Sequence, residues 1–195
     1  MGRGNRHSAI YKAEEDYCFF LRILKEIKDR NPFVLHAVCL MTNHFHLELT
    51  TKSDPIWKIM QQLMNYYART FNQKHGYQGH LFDGRYVSCL IEDDRYFLEV
   101  SRYIHLNPVK AMMVREPIAY EYSSYGLFVS GEEYRPAEKA YKLIAELVDT
   151  SHVLGMFRTD PREQYRMFVE GKISHSEQEM LIMKDMKENE LWLPW

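Results

Sequence analysis

The chain has 195 residues, 46% of them apolar, and a formal net charge of −2; this suits one domain, or one domain with a helical appendage, around a real core. No run of roughly 18 apolar residues occurs and the opening Met1-Gly2-Arg3-Gly4-Asn5-Arg6-His7 has no apolar signal region, so neither a membrane span nor secretion is expected. Cys18, Cys39 and Cys89 are odd in number and scattered, which reads as free thiols in a reducing compartment, with the cytoplasm as the expected location.

In chain order, residues 13–29 carry a helical pattern that ends at Asn31-Pro32. Phe33–Leu40 reads as an apolar strand, Thr42-Asn43 as a turn, and His44–Thr50 as a second strand. Along that second strand polar and apolar residues alternate. His44, His46 and Glu48 therefore share one face, and Phe45, Leu47 and Leu49 the other. Two imidazoles two residues apart on a rigid strand point the same way, roughly 7 Å apart, and suit one shared metal ion. Unpaired in a core, each ring would instead need its own hydrogen-bond partner. Glu48 is open to two readings, as an extra ligand or base and as a sheet-surface carboxylate.

Ser53-Asp54-Pro55 signals the next helix start. Ile56, Met60, Leu63, Tyr67 and Phe71 follow at three- and four-residue steps up to Gly76. Asp83-Gly84 marks a turn before an expected strand at Tyr86–Ile91. Glu92-Asp93-Asp94 gives an acidic start to a helix running to about Leu106, with Phe97, Val100 and Ile104 as its core stripe. Pro108 is expected to open a further short helix through Val114. Residues 137–149, 160–170 and 175–189 also look helical. The order helix, strand, strand, helix, strand, helix predicts an α+β fold, a ferredoxin-like antiparallel sheet with helices on one face, lacking its first strand.

The charge is unevenly spread. Residues 1–130 hold 16 Lys and Arg against 14 Asp and Glu, whereas residues 131–195 hold 9 against 13. The first part is mildly basic and rich in Tyr, which permits a nucleic-acid site. It also contains Tyr103 and Asn107, four residues apart and so one turn apart on a single helix face. Tyr is common at half-buried helix positions, and Asn107 before Pro108 also suits a helix cap.

Together these stretches resemble a known family. Arg3-Gly4-Asn5, Cys39 through Leu47 around His44-Phe45-His46, Gly79 through Arg85, Ser101 through Ala111 around Tyr103 and Asn107, and Tyr122-Ser123-Ser124-Tyr125 occur in family order and spacing. The chain resembles the REP-associated tyrosine transposases, within the single-tyrosine transposases of the HUH endonuclease superfamily. The resemblance implies a catalytic domain at 1–130 followed by a helical extension at 131–195. It implies Tyr103 as the nucleophile that attacks a DNA phosphate to form a 5′-phosphotyrosine. It further implies His44, His46 and Asn107 around Mg²⁺ or Mn²⁺, and single-stranded or hairpin DNA as the partner, bound by a monomer or homodimer. The chemistry is coherent, because a phenol with a reference pKa near 10 needs a cation or base to shed its proton.

His80 and Arg85 in the Gly79–Arg85 loop, and Arg102 and Lys110 beside Tyr103, are candidate DNA contacts, since arginine forks onto phosphate oxygens. Tyr66, Tyr67, Tyr77 and Tyr86 are candidates to stack unpaired bases. The chain departs from the family pattern at Thr42, where Pro is usual, and at Asp83, where Gln is usual. Met1 also falls where the family's opening strand would end. A retained nucleic-acid-binding module without chemistry, and a phosphoesterase using water as its nucleophile, are the rival readings.

Overall fold

The fold is known from a computed structural model, which describes residues 1–131 and 138–171. The first helix, α1 (Glu14–Arg30), begins where Asp16 accepts hydrogen bonds from the backbone N–H groups of Lys12 (2.8 Å) and Ala13 (3.1 Å). Its acidic first turn and basic last turn both favour the helix dipole. It stops at Asn31, the residue before Pro32.

Strand β2 (Phe33–Met41) turns at Thr42-Asn43 into β3 (His44–Thr51). Their antiparallel register sets Leu40 against Phe45, Cys39 against His46 and Ala37 against Glu48. A short strand absent from the sequence reading, β1 (Gly2–Arg3), lies on the other side of β3, with Gly2 opposite Phe45 and Arg3 opposite His44. The sheet order is β1-β3-β2. Two residues are too few to show alternation, so composition could not reveal β1. Glycine permits it: a Cβ on Gly2 would lie 2.6 Å from the Phe45 ring, and one on Gly4 only 2.1 Å from the Ser8 carbonyl oxygen. Beyond Phe45, no strand among the described residues pairs with this edge of β3.

Helix α2 (Ile56–His75) closes at Gly76, whose φ of 60° is the left-handed conformation glycine takes readily. The expected strand at Tyr86–Ile91 is irregular chain instead. Strands need partners, and here only Val87 pairs, exchanging backbone hydrogen bonds with Met1 at 2.8 and 2.9 Å. Helix α3 (Asp94–Lys110) is capped by Asp93, which accepts from the Tyr96 N–H at 2.8 Å. It runs through Pro108, so the predicted break there does not occur. Only three helical residues end with the proline, and a missing N–H costs least so near a terminus.

The remaining helices are α4 (Tyr125–Ser130), α5 (Glu138–Leu147), α6 (Ser151–Gly155) and α7 (Pro161–Glu170). Ahead of α4, Tyr122–Ser124 covers the outer edge of β2 through Leu40 N–H to Tyr122 O and Ser124 N–H to Val38 O, both 2.9 Å. α5 lies along α1, where Lys28 Nζ donates to the Leu147 carbonyl at 2.6 Å. The helix expected at 175–189 lies outside the described residues.

The α+β class and the antiparallel sheet are as the pattern predicts, but the helices divide between two faces. Val38, Leu40 and Phe45 join the large core with α1 and α2. Ala37, Cys39 and Met41 point the other way and pack with Ile104 of α3 and with Tyr120. By register His44, His46 and Glu48 share this second face. The sheet thus delivers three polar side chains to α3.

Candidate active site

The face of β3 toward α3 is the polar one. The rings of His44 and His46 lie 5.0 Å apart, centroid to centroid, and that of His46 lies 5.6 Å from Tyr103. Elements 57 residues apart in sequence thereby place a phenol edge-on against an imidazole. Lys110, two turns after Tyr103 on α3, holds its ammonium 4.9 Å from the centre of the Tyr103 ring. A cation over an aromatic face is attracted by the ring quadrupole.

Both histidines are neutral near pH 7. Burial pulls His44 down to about 4, helped by the nearby charges of Arg3 and the N-terminal amine. Burial likewise holds His46 well below the ordinary imidazole range. A neutral imidazole keeps the lone pair that a metal needs. His44 Nδ1 is engaged by Asn43 Oδ1 at 2.7 Å, which leaves Nε2 as its free ligand atom. His46 Nε2 is buried and has no hydrogen-bond partner among the described residues. Asn107 is 9% exposed, and its amide nitrogen donates to the Tyr103 carbonyl at 2.8 Å. Only its Oδ1 remains to face a ligand. This donor set suits a divalent cation, although no three His, Cys, Asp or Glu side chains converge into a metal cluster among the described residues.

Glu48 is not a surface carboxylate. It is 2% exposed, and neither of its oxygens finds a hydrogen-bond partner among the described residues. Burial pushes its carboxyl well above the ordinary range, and the neighbouring Ser101 hydroxyl acts in the opposite direction. Ser101 is already bonded to the Tyr165 hydroxyl at 2.8 Å. His46, Glu48, Val100 and Tyr103 line one groove of about 570 Å³ beside the uncovered edge of β3.

The four candidate DNA contacts separate. His80 and Arg85 are exposed. Their loop is tied to the N-terminal segment: Asn5 N–H donates to Leu81 O (2.8 Å), Asp83 N–H to Arg3 O (2.9 Å), and Arg3 pairs with Asp83 at 2.9 Å. The unusual Asp83 charge is therefore countered by Arg3, which lies opposite His44 in the sheet. Lys110 stays beside Tyr103. Arg102 is a correction: it is 2% exposed, donates to the Gly171 carbonyl at 2.8 Å and stacks on Phe168. It ties α3 to α7 and does not present its charge to DNA. Among the aromatic candidates, Tyr66 is 49% exposed, whereas Tyr67 is 1% exposed and donates its hydroxyl to the Ile10 carbonyl.

Sequence reasoning missed Tyr165. Its hydroxyl joins Ser101 to His105 Nδ1 (2.7 Å), and His105 Nε2 meets Ser124 Oγ (2.7 Å), on either side of Tyr103. Helix α7 thus grips α3 through Ser101, Arg102 and His105. The i, i+4 spacing of Ser101 and His105 was the available signal.

A family model described as "Transposase IS200 like" matches residues 3–107, more than half of the chain and a span that includes His44, His46, Glu48, Tyr103 and Asn107. The chain belongs to the IS200-like transposase family. No curated protein matches the chain. A solved structure of a REP-associated tyrosine transposase bound to a REP hairpin shares the fold, with a TM-score of 0.56 and 19% identity. The match covers 68% of this chain and 78% of that one. Among the described residues of this transposase, no helix is long and apolar enough to cross a membrane.

Proposed function

We propose that this transposase nicks single-stranded or hairpin DNA and rejoins strands through a covalent 5′-phosphotyrosine on Tyr103. The reading rests above all on the 5.6 Å approach of the Tyr103 and His46 rings. The phenol oxygen bonds to phosphorus while the bond from phosphorus to the 3′ oxygen breaks. The phenol proton passes to solvent, and the departing 3′ oxygen takes one up. A second strand's 3′-hydroxyl reverses the exchange. The phosphotyrosine keeps the phosphodiester's energy, so rejoining needs no nucleotide cofactor.

His44 and His46, with Asn107 Oδ1, would hold Mg²⁺ or Mn²⁺. When bound, such an ion withdraws charge from a non-bridging phosphate oxygen and aligns the phosphate. Lys110 adds a positive charge beside the phenol. Arg85 and His80 stand on an exposed loop suited to the phosphate backbone. Residues 1–130 form the catalytic unit in this reading. Residues 131–195 are its extension, which steadies the nucleophile helix through Tyr165.

The test is a denaturing-gel assay for a protein–DNA adduct with a hairpin oligonucleotide and Mn²⁺. The expected result is an adduct with the intact protein and none with Tyr103→Phe. Cleavage persisting in Tyr103→Phe would make water the nucleophile. DNA binding by the intact protein without any adduct would make it a binder.

A further inference from the structure

The cation site described above has an imbalance. Two neutral imidazoles and one amide carry no charge, whereas Mg²⁺ and Mn²⁺ favour oxygen ligands and carboxylates above all. One residue on the same sheet face supplies what is missing. Glu48 follows His46 by two positions, points toward α3, and lines the same groove as His46 and Tyr103.

Two orphaned groups coincide there. The carboxylate oxygens of Glu48 and the Nε2 of His46 are all buried, and none has a partner among the described residues. Leaving either group buried and unpaired is costly, and native proteins seldom tolerate it without a reason. A single cation held between them would satisfy both. Resting on the transposase reading above, we infer that Glu48 is an anionic ligand of the cation site, binding the ion together with His46. His46 and Glu48 supply two donors to a shell that Mg²⁺ prefers octahedral, so several coordination positions stay open. Mg²⁺ sites of this kind retain waters and receive substrate phosphate oxygens in those positions.

The alternative is a purely structural buried acid. The Ser101 hydroxyl beside Glu48 would serve such a group, and glutamine would replace it almost without loss. Glutamine keeps the shape and one carbonyl oxygen but removes the charge. The experiment is therefore Mn²⁺ binding to the full-length protein without DNA, followed by electron paramagnetic resonance of the free ion, for wild type, Glu48→Gln and Glu48→Asp. Circular dichroism checks that each variant is folded.

The expected result is that Glu48→Gln weakens Mn²⁺ binding by about tenfold or more, at least matching the loss seen when a residue supporting a metal ligand is removed. Glu48→Asp recovers part of that loss. Mn²⁺ also raises the melting temperature of wild type more than that of Glu48→Gln. Equal Mn²⁺ affinity in wild type and Glu48→Gln, or no Mn²⁺ binding by wild type at millimolar concentration, overturns the inference. The adduct assay separates the two proposals. An adduct that needs Tyr103, with Mn²⁺ affinity indifferent to Glu48, retains strand transfer and removes Glu48 from the site. Glu48-dependent Mn²⁺ binding without an adduct retains the ligand and removes strand transfer.

Discussion

The two faces of β3 are built to opposite specifications. Toward α1 and α2 it presents Phe45, fully buried in contact with Phe20 and Phe82, over a Gly2 backbone that leaves no room for a Cβ. Toward α3 it presents His44, His46 and Glu48, two of which bury polar atoms with no partner among the described residues. One face is close-packed and satisfied. The other is held in place by the first and carries unmet polar capacity. A strand can bear such a burden because its alternation lets the apolar residues fix the position of their polar neighbours. Rigid packing on one side is what aims the site on the other.

Removing the apolar anchor tests this division most severely. Phe45→Ala deletes a ring at 0% exposure and leaves a cavity against Gly2, Phe20 and Phe82. The expected loss is about 3–5 kcal/mol, read from urea unfolding. His46→Ala, on the opposite face, should cost less, because the ring's Nε2 makes no hydrogen bond to the described residues that could be lost. Comparable losses at the two positions would break the comparison.

The same alternation explains what was legible in the sequence. His44, His46 and Glu48 were assignable to one face from period alone, and Tyr103 and Asn107 to one helix surface. α1, β2, β3, α2 and α3 were each announced by period, by Pro32 or Gly76, or by Asp93. What failed was whatever depends on partners. Tyr86–Ile91 has strand composition but finds only Met1 to pair with. β1 has no pattern of its own and exists because β3 accepts it. Arg102 looks like a DNA contact until α7 arrives to cover it. Glu48 looks like a surface acid until α3 closes over its face. Burial imposed by elements distant in sequence leaves no local signal.

Acid sharpens the comparison at intermediate scale. Burial lowers His36 and His44 to about 4 and His105 to about 3, and holds His46 well below its ordinary value. Unfolded, each takes up a proton near pH 6.5. Below that pH the unfolded state binds protons that the folded state refuses, so stability is lost as pH falls from about 6.5 toward 4. Each group contributes a slope of at most about 1.4 kcal/mol per pH unit. Glu48 opposes this. Its raised carboxyl stabilises the fold below the ordinary value of 4.5, and that stability is lost as pH rises. Four histidines outweigh one acid, so urea midpoints in metal-free buffer should rise between pH 5 and 7. They should rise more steeply in Glu48→Gln. A flat wild-type profile would mean that the polar face admits protons, and hence water, more freely than its burial implies.

The smallest effect belongs to the rim, where the polar face meets solvent. Arg3 and Asp83 pair at 2.9 Å with side chains 22% and 46% exposed, and such a pair contributes about 0–1 kcal/mol. Asp83→Asn should therefore leave the urea midpoint nearly unchanged. Its effect should appear in binding instead. The substitution removes a negative charge from the loop that carries His80 and Arg85, and it releases Arg3 opposite His44. Hairpin DNA should then bind a few-fold more tightly, with a steeper dependence on salt, because one more phosphate is neutralised. Fluorescence anisotropy across a salt series measures both quantities. An unchanged salt slope would place the phosphate backbone away from this rim and leave Asp83 and Arg3 as a clasp that only fastens the loop to β1.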